Sequence, residues 1–295
     1  MNFNINQQIL IIMKDYVKEN QRILDEWCAK FVEDKKSDEA YVGLAPEKYF
    51  AMDGIMNKGE FYVNDDEECR RGASGTENES WGKAPIKVLF LSKDQNAFEG
   101  EAKDVRTETF HIKGLTTPID NYQISDSFFY QNEACLLYRL MNIIPQSDLD
   151  QITEFSWEEA VKFSDEQIFA RINCKKEVGG GSCNNGMLQN AIDEYGDFLK
   201  NQINNLDADI LICCGRSKQV EATHNVILNY LNTIGYHFEK VEGVCSDEIY
   251  YDRANNKVAF NIYHLSYFRY NWITTIKAYY EFMEKYPVFH NLYRK

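Results

Sequence analysis

The sequence predicts an α/β fold: a mainly parallel, doubly wound sheet of about four strands flanked by helices, with an N-terminal helical extension. Three observations predict it. Four bare apolar runs, "KVLFLS" (87–92), "IFARIN" (168–173), "DILICCG" (209–215) and "VAFNIYH" (258–264), have the length and character of strands buried on both faces. Segments of helical period separate them. Strands that alternate with helices pair in parallel, because each helix carries the chain back across the sheet.

Taken in order, residues 5–34 place Ile9, Met13, Val17, Ile23, Trp27 and Phe31 at roughly helical spacing. The next fifty residues are acidic and rich in turn formers, and "VNDDEECRRGASGTENESWG" (63–82) reads as a solvated loop. Strand 87–92 opens the α/β region. Helices are expected over 130–142, 186–205, 218–234 and 270–285. "EIYYDRANNKVAFNIYH" (248–264) suggests a hairpin with an Asn-rich turn near Asn255, hence one antiparallel pair. The expected division is an extension over 1–85 and one α/β domain over 86–295.

Composition narrows the function classes. With 44% hydrophobic and 14% aromatic residues, the 295-residue chain can bury a substantial core. Its formal charge of −14, from 46 acids against 32 bases, repels nucleic acid and anionic membranes on average, although a local basic cleft remains compatible with it. Eight cysteines are dispersed with no C-x-x-C pair, which suits a reducing, cytoplasmic compartment and gives no zinc or iron–sulfur spacing. The N-terminus lacks the pattern of a signal peptide, and no stretch has the length of a membrane span. No metal or other cofactor is expected.

In an open α/β sheet, ligands bind outside the carboxyl ends of the strands. The residues after each apolar run are therefore the candidates. Lys93, Asp94, Gln95 and Asn96 follow the first run, and Asn173, Lys175 and Lys176 close the second. Arg216, Ser217 and Lys218 follow the third, and His264, Ser266 and Arg269 end the fourth. Every exit carries a base, which forms a rim suited to phosphate. Asp94 can orient a water or serve as an N-cap. The Asn173 amide both donates and accepts, as reading a base edge requires, or it ties down a turn. His264 can donate to a developing negative charge or sit satisfied in the core. "EVGGGSCNNG" (177–186) is a flexible Gly-rich loop and lacks the G-K-[ST] that closes a Walker A loop.

Four of these segments, in order, resemble the uracil-DNA glycosylase superfamily over about residues 86–285. "KVLFLSKDQN" is similar to that family's strand running into Gly-Gln-Asp-Pro-Tyr, with Ser92 at the Gly and Gln95 at the Pro. "IFARINCKK" resembles the strand ending in the Asn that reads uracil, and "LDADILICCGRSK" the later strand ending in Gly, here Gly215. "YHLSYFRY" is similar to His-Pro-Ser, with Leu265 at the Pro. The resemblance implies a metal-independent N-glycosylase acting on a uracil-like or damaged base flipped from DNA. It implies Asp94 as the water-activating acid, His264 as the stabiliser of the leaving base and Asn173 as the reader. Phe128, Phe129 or Tyr122 would stack on the base. Lys93, Lys175, Lys176, Arg216, Ser217, Lys218, Ser266 and Arg269 would hold phosphate. The alternative is a catalytically inactive protein of that fold, binding a nucleotide, nucleic acid or protein partner.

Overall fold

Bare apolar strands need cover on both faces, and the sheet obtains it from two helical layers. The computed structural model describes residues 14–95, 101–112, 123–144, 146–179, 183–217, 225–267 and 269–290. In chain order the first elements are α1 (Tyr16–Lys35), β1 (Gly54–Ile55), β2 (Phe61–Val63), β3 (Cys69–Arg71), α2 (Glu77–Lys83) and β4 (Val88–Ser92). Then come β5 (His111–Ile112), β6 (Gln123–Ile124), α3 (Phe128–Met141), α4 (Trp157–Glu166), β7 (Ala170–Asn173), α5 (Asn185–Leu206) and β8 (Ile210–Cys213). The chain closes with α6 (Val226–Thr233), β9 (Glu239–Lys240), β10 (Ile249–Asp252), β11 (Lys257–Asn261), α7 (Trp272–Lys285) and α8 (Pro287–His290).

The central sheet has seven strands in the order β1-β7-β4-β8-β11-β10-β9, rather than about four. The four expected strands form its parallel middle. The additional strands are antiparallel at both edges, and β10 and β11 make the hairpin foreseen around Asn255. Its turn is held by Asp252, whose carboxylate accepts from the Asn255 backbone at 3.0 Å, while Asn256 adopts a left-handed φ of 51°. The short β1 and β9 have two residues each, too few to show a period in sequence.

Side chains alternate across the strands. Phe90, Phe169, Ile212 and Phe260 face a core with α3, α4 and α7. Leu89, Leu91, Ile172, Leu211 and Ala259 face a second core with α1, α2, α5 and α6. Helix α4 was not anticipated, although Ser156 and Glu159 form a complete capping box at its start. Among the described residues no helix is long and apolar enough to cross a membrane. All eight cysteines are free thiols.

Residues 14–85 are woven into this architecture. Trp27 of α1 stacks on Phe198 of α5 with ring centroids 5.8 Å apart, and β1 pairs with β7. The acidic stretch 63–82, expected as a solvated loop, contains β3 and α2 instead. The fully buried Trp81 fixes it, donating to the Leu206 carbonyl at 2.9 Å. Glu77 accepts from the backbone of Lys58, Ser74 and Gly75, which accounts for a buried acid here.

Asp53, just before β1, is fully buried and binds Lys176 Nζ at 2.6 Å through both oxygens. Lys176→Met leaves that carboxylate without its cation. It is expected to lower stability by about 3–5 kcal/mol, read as a lower urea midpoint. An unchanged midpoint would mean that the pair contributes nothing.

Candidate functional site

Register brings the strand exits together. Ser92 of β4 lies beside Asn173 of β7, and Leu91 and Asn261 both lie beside Cys213. Pairing continues past the strands, from Lys175 N to Lys93 O at 2.8 Å and from Arg216 N to Ile262 O at 3.0 Å. Asn173, Ser92 and His264 therefore all project on the α3 side of the sheet. There they line one cavity of about 630 Å³, together with Lys93, Asp94 and Phe129. The volume falls in the range of small-molecule sites. The backbone of Gly215, at the end of β8, packs so close to Ile227 that a Cβ would come within 2.9 Å of it.

Asp94 is partly buried, and that burial raises its carboxyl above the ordinary range, while Lys175 and Lys93 pull the other way. Gly179 leaves it room, since a Cβ there would lie 3.0 Å from Asp94 Oδ2. Lys93 donates to the Cys183 carbonyl at 3.3 Å, and burial lowers its pKa.

His264 Nδ1 lies 2.7 Å from Ser266 Oγ and accepts from the Ser266 backbone N–H at 3.4 Å. An Nδ1 that accepts leaves the proton on Nε2. Burial, reinforced by the positive charge of Lys93, lowers the imidazole to about 4. His264 is therefore a neutral donor at pH 7. Its ring lies 5.7 Å from Phe129, at 37° to it.

Asn173 is held through its backbone, whose N–H donates to Asp53 Oδ2 at 2.7 Å. Among the described residues no group pairs with its carboxamide. The cavity also contains groups that motif reading did not select. Arg171, two residues before Asn173 on the same face, is buried on the floor. It binds Glu133 of α3 at 2.5 and 3.0 Å and Glu108 at 2.5 Å. Burial opposes its charge, but the two carboxylates more than offset this and keep the guanidinium protonated. A charged residue inside an otherwise apolar strand was the available signal, because a buried Arg needs an acid partner. Glu133 inside the apolar face of a helix is the matching one.

The expected basic rim is largely neutralised. Lys176 is buried against Asp53 and faces away from the cavity. Arg216 makes a two-pronged pair with Asp247 at 2.7 and 2.8 Å. Lys175 donates to the Glu177 carbonyl and lies 3.8 Å from its carboxylate. Lys93 and Ser266 line the cavity, whereas Ser217 and the exposed Arg269 do not. Phe128 projects into solvent one helical step from Phe129, 55% exposed, so the stacking candidate in the cavity is Phe129. Gln95 is spent on structure, accepting from Lys103 N at 2.8 Å and donating to its carbonyl at 3.1 Å. Asn96, Tyr122 and Lys218 lie outside the described residues. Among those residues no cluster of three or more His, Cys, Asp or Glu is placed to hold a metal ion.

Compared with models of known protein families and with curated proteins, the chain matches none of them.

The His264 imidazole is expected to titrate near 4 by NMR, against about 6.5 for a free histidine. Between these values the unfolded chain binds the extra proton. His264 therefore lowers stability as pH falls from about 6.5 to about 4 and adds nothing further below that. A measured value near 6.5 would remove the effect of burial, and one above about 7 would remove the neutral-donor assignment.

Proposed function

We propose that the cavity binds a nucleobase and that the chain hydrolyses its N-glycosidic bond, with a uracil-like or damaged base flipped from DNA as the substrate class. The observation that carries this reading is that Asp94, Asn173 and His264, from three separate strand exits, line one cavity. A base inside a duplex is out of reach of such a pocket until it leaves the stack.

The chemistry assigns one task to each group. The Asn173 carboxamide reads the base edge with one donor and one acceptor. Asp94, ionised, takes the proton of a water whose oxygen bonds to the sugar carbon. The carbon–nitrogen bond breaks, and its electron pair leaves on the base. The Nε2–H of neutral His264 donates to the oxygen on which that charge collects, at no cost in protonating the imidazole. Phe129 offers a ring face for stacking. Because burial raises Asp94, turnover falls as acid protonates it, at a pH above the ordinary carboxylate range.

A second reading keeps the pocket and drops the chemistry: a protein of this fold that binds a nucleotide, nucleic acid or protein partner. The neutralisation of Lys175, Lys176 and Arg216 by neighbouring acids favours it, since these cations are already committed. Asp94→Asn separates the two. Base release from oligonucleotides carrying uracil or a lesion is expected to drop by about 100-fold or more, with binding retained. A wild-type protein that releases no base from any such oligonucleotide would falsify the catalytic reading.

A further inference from the structure

Ser92 is the last residue of β4, it is 2% exposed, and among the described residues its hydroxyl has no hydrogen-bond partner. A buried polar group left unpaired carries a desolvation penalty that a strand end has no reason to retain. Its register partner on the neighbouring parallel strand is Asn173, whose carboxamide is also unpartnered among the described residues and is 3% exposed. Both residues line the same cavity. Adjacent strands lie about 4.8 Å apart, so the hydroxyl and the carboxamide stand side by side on the same face of the sheet. In the family that this segment resembles the position is glycine, so the hydroxyl belongs to this chain's own site.

We infer that Ser92 is a specificity-determining residue that adds a third hydrogen-bonding point to Asn173. The ligand is then a planar heterocycle with three consecutive hydrogen-bonding atoms on one edge: a ring nitrogen flanked on both sides by carbonyl or amino groups. A hydroxyl donates or accepts, so it takes either group, but it rejects a ring that carries only hydrogen there. This rests on the nucleobase reading of the cavity.

The test is a cycle between one side chain and one ligand group. Calorimetric titration of wild type and Ser92→Ala uses uracil and the two pyrimidinones that each lack one of its carbonyls, then guanine and hypoxanthine. Wild type is expected to prefer the three-point member of a pair by about tenfold, the loss of one hydrogen bond. Ser92→Ala is expected to lose that preference while binding the two-point member unchanged. In the absence of ligand, Ser92→Ala is expected to melt at a higher temperature, because an unpaired buried hydroxyl has been removed. Equal binding of the three-point ligands by Ser92→Ala and wild type overturns the role of Ser92 and leaves the nucleobase reading standing. A lower melting temperature also overturns it, by showing that the hydroxyl is already bonded. If wild type binds none of these bases, the inference and the nucleobase reading fall together.

Discussion

A buried carboxylate has to have its oxygens saturated with donors, and Asp53 meets that demand from several directions. Its side chain accepts from Lys176 Nζ, from Gln202 Nε2 at 2.8 Å and from the Asn173 backbone. Asn20 of α1 donates to its carbonyl at 2.8 Å and accepts from Gln202 at 3.0 Å. One residue from the N-terminal segment thereby fixes α1, α5 and the end of β7 with respect to one another. None of these groups can move without exposing an unpaired charge to a low-dielectric interior. Asn173 presents its amide to the cavity because its backbone is pinned from behind.

The same economy of charge governs the cavity itself. Its cations and anions are arranged in opposition, with Lys93 near Asp94 and Arg171 against Glu108 and Glu133. A site neutralised in this way attracts little by net charge and selects through oriented hydrogen bonds. On the proposed reading, that suits a flat, uncharged ring better than a polyanion alone. It also shows how a chain of charge −14 can hold several lysines and arginines around one sheet edge without a strong positive field.

The parallel middle of the sheet was legible because four apolar runs have no other economical use, and sheet topology then placed their exits side by side. The positions of Asp94, Asn173 and His264 follow from that rule alone. The edge strands were not legible, since two residues carry no period. The burial of Trp81 and Glu77 was hidden by an acidic, turn-rich composition, which reports average polarity and is blind to one anchoring side chain. The basic rim misled for a related reason. A sequence shows where a lysine stands but not which carboxylate meets it, and the partner of Lys176 lies 123 residues away. In the sequence Ser92 stands out only as a departure from the glycine of the motif that this segment resembles. That its hydroxyl finds no partner among the described residues is a property of the packed state.

The two-residue strands that end the sheet have a consequence for assembly. An open sheet edge is a template on which another strand can grow. Here β1 is buried, β9 is exposed, and each offers only two residues. Neither edge can register a long foreign strand, so the central sheet is closed to extension by peptide addition or by edge-to-edge stacking of copies.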